Sequence, residues 1–361
     1  MTAAASVAVL RGDGIGPEVL ESALSILGSC LQVRLREAKI GGLAIDAGGD
    51  PLPEETLQIC QSSNAILLGA IGGPRWVKPV PAAEGLLRLR KRLGLYANLR
   101  PVRHLNLPTP LREGLARHAD VLVVRDLAGG VYTGTPRSEQ AHEAVNTWRQ
   151  TDEQVRRVAH VAFKQAAKRR SRVTSVDKAN LLEASRLWRR VVEEVATEYP
   201  SVQLEHRHVD AMSFELIQAP HRFDVILSDN LFGDILGDQA ALIAGAVGVL
   251  PSASLGDGPA IYKPVHGPAP DLAGRGVANP TGAILAVAML LEHSLNRPDL
   301  ARIVESAVNV TLRDVRTPDV GGKATTREFT EAVHRNLSWL RWAHTPAEDE
   351  TETTASSEWG V

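Results

Sequence analysis

Short apolar runs alternate with amphipathic segments through most of the chain. Runs that are mostly rich in valine, isoleucine and leucine predict β-strands at residues 6–10, 65–68, 121–124, 173–176, 202–206 and 224–227. The spacing of apolar positions between them predicts helices at residues 18–27, at residues 181–197 and after Thr151. Such alternation of strands and helices is typical of an α/β protein.

The helix after Thr151 has the clearest signal. Thr151 and Gln154 form a capping box, in which each side chain accepts a hydrogen bond from the other residue's backbone N–H. Apolar residues then recur at helical spacing, at Val155, Val158, Ala159, Ala162, Phe163 and Ala166. These residues define one buried face of a helix.

Length and composition limit the possible classes of protein. A chain of 361 residues suggests two domains, or one large α/β unit with a subdomain. The net charge of -2 gives no basic surplus, so we expect no nucleic-acid partner. Cys30 and Cys60 are too few for a disulfide framework and too isolated for a zinc site.

Further features bear on location and on the C-terminal segment. The longest apolar stretch, residues 240–250, is too short to cross a bilayer, so we expect no membrane partner. The N-terminus has no basic segment followed by an apolar one, which favours a cytoplasmic protein. From Thr345 the chain is acidic and poor in apolar residues, and we expect residues 346–361 to form a disordered tail.

A glycine-rich turn follows the first predicted strand. Gly12 and Gly14 match the start of a dinucleotide-binding fingerprint, but Pro17 occupies the position of its third glycine. Because proline suits the first turn of a helix, we interpret the segment as a tight turn between a strand and a helix. A Rossmann dinucleotide site is not supported.

Arginines from separate segments are the first candidates for ligand binding: Arg90, Arg100 and Arg125. Arg125 lies at the carboxyl end of a predicted strand, where open α/β sheets bind their ligands. Guanidinium groups match carboxylates in a bidentate fashion, so a carboxylate ligand is expected. Each arginine alone is equally consistent with a solvated or structural side chain.

The strongest local signal follows the predicted strand at residues 224–227. Asp234 and Asp238 are four residues apart, so a helix would place both carboxylates on one face. Two such carboxylates repel each other unless a cation lies between them, and sparse oxygen ligands suit Mg²⁺ or Mn²⁺. Asp210 could supply a third carboxylate. Helix capping and solvation are the alternative explanation.

Two residues are candidates for proton transfer. Lys178 lies between a predicted strand and a helix, where an amine beside a metal and arginines suits a general base. Tyr132 follows a pair of glycines, and its phenol could serve as a proton donor. An ordinary surface lysine and a packed tyrosine are the alternatives.

A loop rich in glycine and proline lies between residues 264 and 280. Backbone of this kind can approach an adenosine and its phosphates closely. The loop contains His266, Gly267, Asp271 and Asn279. Asp271 suits a hydrogen bond to a ribose hydroxyl and would repel a 2′-phosphate.

Taken together and in this order, these segments resemble the β-decarboxylating dehydrogenase family, which includes 3-isopropylmalate and isocitrate dehydrogenases. The match extends in register from about Val7 to about Leu337. It implies a two-domain α/β fold with a doubly wound open sheet of the isopropylmalate/isocitrate dehydrogenase type, not of the Rossmann type. Residues 1–95 with 245–345 would form a discontinuous cofactor-binding domain, and residues 96–244 a domain for dimerisation, metal and substrate.

The resemblance also implies a homodimer with shared active sites and a set of ligand-binding residues. The two carboxylates of a malate would be bound by Arg90, Arg100 and Arg125. Mg²⁺ or Mn²⁺ would be bound beside the substrate by Asp234, Asp238 and, from the second subunit, Asp210.

The remaining roles that the resemblance implies concern proton transfer and NAD. Lys178 of the second subunit would accept the hydroxyl proton as hydride leaves to NAD⁺, and Tyr132 would help to deliver the final proton. The NAD site would contain His266, Gly267, Asp271 and Asn279. Asp271 would favour NAD over NADP.

The same resemblance implies a substrate. Leu86, Leu87 and Leu181 match an apolar pocket for an isopropyl group, which indicates oxidative decarboxylation of 3-isopropylmalate to 2-oxo-4-methylpentanoate in leucine biosynthesis. One methyl or methylene in such a pocket changes binding by only about 1 to 3 kcal/mol. The same chemistry on another 3-substituted malate, tartrate or D-malate therefore stays open, as does a homologue that binds a ligand without turnover.

Three positions depart from the family pattern around the expected cofactor site. Ala83 stands where the family usually has glutamate, and Glu84 follows one residue later. Lys263 stands in place of a usual glutamate, and Pro268 in place of a usual serine. These changes concern cofactor affinity and substrate range more than the type of reaction.

Overall fold

The computed structural model describes residues 5–78, 80–112 and 114–343. The expected tail at residues 346–361 lies outside this part of the chain. The strands are β1 (Ser6–Gly12), β2 (Arg34–Ala38), β3 (Ala65–Ala70), β4 (Leu95–Arg103), β5 (Asp120–Asp126), β6 (Arg137–Glu139), β7 (Ala144–Asn146), β8 (Arg172–Asp177), β9 (Gln203–His208), β10 (Val225–Ser228), β11 (Pro251–Gly256) and β12 (Ile261–Pro264). The helices are α1 (Gly16–Cys30), α2 (Gly42–Gly48), α3 (Glu54–Gln61), α4 (Glu84–Arg92), α5 (Asp152–Ala167), α6 (Glu183–Ala196), α7 (Val209–Gln218), α8 (Asn230–Ala244), α9 (Thr281–His293), α10 (Pro298–Asp314) and α11 (Thr326–Ala343).

Ten of these strands form one open sheet in the order β2-β1-β3-β12-β11-β4-β5-β10-β8-β9. The strands on both sides of its centre are parallel, as expected where helices connect successive strands. At the centre, β11 is antiparallel to both neighbours and β4 is antiparallel to β5. The short strands β6 and β7 pair separately.

Helices cover both faces of the sheet. Along β1, Val7 and Val9 point into an apolar cluster to which α1, α5, α6 and α9 contribute. Ala8 and Leu10 point the other way, into a second cluster with side chains of α3 and α4. The fold class predicted from the sequence, a doubly wound open α/β sheet, is confirmed.

Helix α9 is the most deeply enclosed helix. Its residues 281–291 are all buried, because it packs against α1, α10 and the strands β11 and β12. The protein core therefore accommodates the apolar surface of α9. In the part of the chain that the structure describes, no helix combines the length and apolarity needed to span a membrane.

The hydrophobic pattern missed the strands at the centre of the sheet. Every predicted strand and helix is present with slightly shifted ends, but six strands were not predicted: β4, β11 and β12 at the centre, β2 at one edge, and the separate pair β6 and β7. β4 carries Asn98, Arg100 and Pro101, and β11 carries two serines. Polar residues occupy one face of these strands, so the strands lack the apolar runs by which the others were found.

The glycine-rich turn after β1 has the structural role expected from the sequence. Gly12 and Gly14 adopt positive φ angles of 71° and 59°, which glycine adopts without strain. A Cβ on Gly14 would lie 2.0 Å from the carbonyl oxygen of Pro268, and the Ile15 N–H donates to the same oxygen at 2.8 Å. The turn therefore packs directly on the glycine- and proline-rich loop.

The predicted domain boundary lies between β11 and β4. Residues 1–95 with 245–345 would include β11, and residues 96–244 would include most of β4. The two strands pair in register, with Ala253 opposite Leu99, so the sheet continues across this boundary. The division into two domains stays a prediction.

The capping box of α5 yields a test of local stability. The Gln154 N–H donates to Thr151 Oγ1 at 3.3 Å, and the Thr151 N–H donates to Gln154 Oε1 at 3.0 Å. We expect Thr151→Ala to lower the free energy of unfolding by about 1 kcal/mol, because the first turn of α5 loses an acceptor. Urea denaturation followed by circular dichroism measures this change. Thr151→Ser keeps the hydroxyl and is the control; equal losses in the two variants would contradict the capping role.

Candidate active site

Polar side chains occupy one face of the central strands. Paired residues on neighbouring strands point to the same face of a sheet. Ser254 lies opposite Asn98, and Asn98 lies opposite Arg125. Asn98 Nδ2 donates to the Ala253 carbonyl at 3.1 Å. These contacts fix a row of polar side chains across β11, β4 and β5.

Arg100 joins this row to helix α8. Its guanidinium is buried and donates to Asp234 Oδ1 and to Asp238 Oδ1, each at 2.8 Å. Its Nε donates to Asn98 Oδ1 at 3.1 Å. A Cβ on Gly237 would lie 2.7 Å from Arg100 Nη1, so only a glycine lets α8 approach this closely. The cation expected between the two carboxylates is thus, within this chain, an arginine.

Arg125 and Tyr132 complete the contacts around Asp234. Arg125 Nη1 pairs with Asp234 Oδ1, and its Nε donates to Asn230 Oδ1 at 2.9 Å. The Tyr132 hydroxyl donates to Asp234 Oδ2 at 3.3 Å. Burial and the negative Asp234 raise the pKa of Tyr132. The phenol therefore remains protonated beside the carboxylate.

Helix α8 presents its two carboxylates to the cleft. Asp229 caps the helix by accepting from the N–H groups of Leu231 and Phe232, at 2.8 and 3.1 Å. The side chains of Asp234 and Asp238 remain 34% and 57% exposed. Their side chains are therefore accessible to solvent as well as bound to arginine.

Arg90 reaches the same region from helix α4. It lines a cleft of about 740 Å³ together with Leu87, Arg125 and Tyr132. Its Nε is buried without a hydrogen-bond partner. Burial, with the positive charges of Arg125 and Arg100, lowers the pKa of Arg90 to about 9. This guanidinium is thus a donor that lacks an acceptor.

Lys178 and Asp210 form a separate pair. Lys178 follows strand β8, and its Nζ contacts Asp210 Oδ1 at the start of α7. This hydrogen bond lowers the pKa of Asp210. Across residues 5–78, 80–112 and 114–343, no three His, Cys, Asp or Glu side chains of one chain converge as metal ligands. A single chain therefore does not bring Asp210 to Asp234 and Asp238.

The predicted cofactor loop contains one buried atom that lacks a partner. His266 Nδ1 contacts the Gly267 carbonyl oxygen at 2.9 Å, whereas its Nε2 is buried without a hydrogen bond. Burial lowers the pKa of His266 to about 4, so the ring is neutral. Asp271 is exposed, with its carboxylate at the surface of the loop.

Asn279 has a different environment from the other loop residues. It is buried, and its Nδ2 donates to Thr317 Oγ1 at 2.8 Å. Its Oδ1 accepts from the Thr281 N–H at 2.9 Å, at the start of α9. Its side chain thus holds the end of the loop in place, and its predicted contact with NAD stays a prediction.

The residues expected to select the substrate are only partly brought together. Leu87 and Glu84 line the cleft, whereas Leu86 packs against the second apolar cluster. Ala83 is exposed immediately before α4. Leu181 lies beside Lys178, to whose carbonyl oxygen its N–H donates at 3.0 Å, and is absent from the cleft lining.

Sequence reasoning missed two amides and one cation of the site. Asn98 and Asn230 position Arg100 and Arg125, and Lys263 faces the same cluster from β12. Asn98 is two residues before Arg100, so the period of a strand would have placed both on one face. The prediction did not assign a strand there.

Comparison with known proteins defines the class to which this fold and site belong. The profile of the isocitrate/isopropylmalate dehydrogenase family matches residues 6–333. The 3-isopropylmalate dehydrogenase of Aquifex aeolicus is 47% identical over 360 residues, covering 94% of this chain and 99% of that protein. The 3-isopropylmalate dehydrogenase of Deinococcus radiodurans is 48% identical, covering 92% and 97%.

Solved structures agree with this comparison. A β-decarboxylating dehydrogenase from Thermococcus kodakarensis superposes with a TM-score of 0.81 at 38% identity, covering 96% of this chain and 100% of that one. An isocitrate dehydrogenase from Methylococcus capsulatus superposes with a TM-score of 0.83 at 33% identity, covering 92% and 99%. The chain belongs to the isocitrate/isopropylmalate dehydrogenase family of decarboxylating dehydrogenases.

The buried cap of α8 yields a prediction about pH. Burial raises the pKa of Asp229 from its ordinary 3.8 to about 7. Between these values the folded state holds a proton that the unfolded state has lost, so this group makes stability fall as the pH rises. Asparagine caps helices as well as aspartate does and has no charge. We therefore expect Asp229→Asn to gain stability over the wild type from pH 5 to pH 8, reaching about 2 to 4 kcal/mol.

Urea denaturation at a series of pH values measures this gain. Asp314→Asn, at an exposed position at the end of α10, is the matched control and should show no such trend. A difference between Asp229→Asn and wild type that stays constant with pH would contradict the buried, protonated cap.

Proposed function

We propose that this chain oxidises 3-isopropylmalate with NAD⁺ and decarboxylates the product, giving 2-oxo-4-methylpentanoate for leucine biosynthesis. The observation that carries the proposal is the cluster in which Arg100 holds Asp234 and Asp238 while Arg90 faces the cleft without an acceptor. The similarity to 3-isopropylmalate dehydrogenases supports the choice of substrate.

The arginines provide the binding site for the two malate carboxylates. Arg90 has a buried donor with no partner, which a substrate carboxylate would satisfy. Arg100 and Arg125 are already held by Asp234, so their positions are fixed before the substrate binds. Preorganised guanidinium groups of this kind orient a dicarboxylate without first having to be ordered themselves.

Asp234 and Asp238 fit a divalent cation. They are oxygen ligands, they lie one helical turn apart, and both are partly exposed to solvent. We propose that Asp210 of the partner subunit supplies the third carboxylate, since one chain supplies only two. When bound, Mg²⁺ or Mn²⁺ provides the positive charge that stabilises the enolate formed as CO₂ leaves.

Lys178 and Tyr132 are proposed to move the protons. Lys178 would act from the partner subunit, with Asp210 holding its Nζ in position, and would accept the proton of the substrate hydroxyl. Tyr132 donates to Asp234 in the described chain and keeps its proton at neutral pH. It is therefore suited to deliver a proton to the carbon from which CO₂ has left.

A homodimer is supported by exposed apolar residues near these groups. Phe214 on α7 is 66% exposed, and Ile235 on α8 is 55% exposed. The two helices pack together, with Gln239 Nε2 donating to the Ser213 carbonyl at 2.7 Å. Leu181, beside Lys178, is also exposed. A second copy covering this surface would bury apolar area and bring its Lys178 and Asp210 towards the cleft.

The loop after β12 is proposed to bind NAD. The buried, unpartnered Nε2 of His266 offers a hydrogen bond to a ligand at this loop. Gly267 is exposed next to it and leaves the backbone accessible. The exposed Asp271 favours NAD, because its carboxylate accepts from a ribose hydroxyl and repels a 2′-phosphate.

The direct test is NADH formation with purified protein, Mg²⁺ and NAD⁺, using parallel samples of 3-isopropylmalate, isocitrate, D-malate and tartrate. We expect rapid turnover of 3-isopropylmalate, because Leu87 gives the cleft an apolar side chain beside the arginines. Turnover of another malate alone would assign the same chemistry to a different substrate. Binding with no turnover of any of them would overturn the proposed reaction.

Replacing the proposed base should stop oxidation. We expect Lys178→Met to reduce NADH formation by at least about a thousandfold, because the variant lacks the amine that accepts the hydroxyl proton. Its unfolding curve should match that of the wild type. Lys164→Met, on the exposed side of α5, is the control. Substantial NADH formation by Lys178→Met would show that another group is the base.

Replacing one proposed metal ligand should change the metal dependence. We expect Asp234→Asn to increase the Mg²⁺ concentration needed for half-maximal activity by about tenfold or more, because one anionic ligand becomes neutral. Titration of activity with Mg²⁺ measures this change. An unaltered Mg²⁺ requirement would remove Asp234 from the metal site.

A further inference from the structure

Lys263 lies on the same face of the central sheet as Arg100. It is on β12 directly opposite Ser252 on β11, and the next residue of β11, Ala253, lies opposite Leu99, the residue before Arg100. Paired residues share a face, so Lys263 and Arg100 point to the same side of the sheet. Ser252 Oγ donates to the Lys263 carbonyl at 3.2 Å and fixes this part of the strand.

The charges of one cluster do not balance. Four basic side chains, those of Arg90, Arg100, Arg125 and Lys263, act there with the two carboxylates of Asp234 and Asp238. Arg100 and Arg125 use both carboxylates in ion pairs. In the described part of the chain, Arg90 and Lys263 have no ion pair, and the Lys263 ammonium contacts only the Pro264 carbonyl oxygen.

Burying these two cations without an anion is energetically unfavourable in the free protein. Burial, and then the positive charges of Arg90 and Arg100, lower the pKa of Lys263 to about 7. Burial and neighbouring arginines also lower the pKa of Arg90. A cationic side chain placed among other cations without an anion destabilises the free protein.

We propose that Lys263 is a substrate-binding residue, whose ammonium, beside the Arg90 guanidinium, binds one carboxylate of the malate. This inference rests on the proposed function and extends the carboxylate site beyond the three arginines. Asp234 and Asp238 are held by Arg100, so they do not provide Lys263 with a partner of its own. The substrate carboxylate is the anion that this part of the cleft lacks.

The proposal predicts opposite effects on binding and on stability. Lys263→Met keeps most of the side-chain length and removes the charge. We expect it to weaken 3-isopropylmalate binding by at least about tenfold, because a charge-assisted hydrogen bond is lost. We also expect the free variant to melt at a higher temperature than the wild type, because an unpaired buried cation is removed. Calorimetric titration with Mg²⁺ and without NAD⁺ measures binding in the absence of turnover.

Two variants serve as controls for this experiment. Lys263→Arg keeps the positive charge and should bind 3-isopropylmalate more tightly than Lys263→Met does. Lys164→Met, at an exposed position on α5, should leave binding unchanged. If Lys263→Met failed to fold, Lys263→Gln would be titrated in its place, with the free acid and with its two monomethyl esters.

Monomethyl esters of the substrate identify the contact. If Lys263 binds one carboxylate, wild type and Lys263→Met should bind the ester of that carboxylate with equal affinity. For the ester of the other carboxylate, Lys263→Met should still bind more weakly than the wild type. If Lys263→Met lost the same affinity for the free acid and for both esters, the lysine would be merely structural and the proposal would be overturned. Unchanged affinity in Lys263→Met would overturn it as well.

The same titrations separate this inference from the proposed function. If the wild type binds malate but not 3-isopropylmalate, the proposed substrate is wrong, and the esters of malate test Lys263 in the same way. If the wild type binds 3-isopropylmalate and Lys263→Met binds it equally well, the inference alone fails.

Discussion

The buried guanidinium of Arg100, held between Asp234 and Asp238, is the interaction on which the rest of the site depends. It connects the centre of the sheet to helix α8 and keeps two carboxylates on one face that would otherwise repel each other. Its position requires Gly237 on the facing helix and Asn98 on its own strand. Removing either carboxylate would leave the buried guanidinium of Arg100 with one ion-pair partner fewer.

A consequence of this arrangement is that the cleft is anionic on one side and cationic on the other. The carboxylates of α8 face the solvent and suit a metal ion, whereas Arg90 and Lys263 lack anions and suit the substrate. Both sets are fixed by the fold before any ligand binds. Such preorganisation is how an enzyme stabilises charge during a reaction without reorganising its own groups.

Much of the fold could be predicted from the sequence, and the failures have a physical cause. The apolar runs identified β1, β3, β5, β8, β9 and β10, and the capping box at Thr151 identified α5, because most of these elements bury apolar side chains. The central strands β4, β11 and β12 could not be found in this way, since Asn98, Arg100 and Lys263 give them a polar face towards the cleft. Local rules of patterning fail where a strand forms the active site.

The candidate site was predicted in part for a similar reason. Spacing along α8 paired Asp234 with Asp238, but no local pattern reveals that Lys178 and Asp210 contact each other and not this pair.

Our central claim is that a second chain completes the site. It is tested most directly by hybrid dimers of a Lys178→Met chain and an Asp234→Asn chain, isolated through two different tags and assayed at a Mg²⁺ concentration at which the Asp234→Asn homodimer is inactive. The account predicts about half of the wild-type activity per dimer, because one of the two sites carries neither change; inactive hybrids would show that each site is built from one chain.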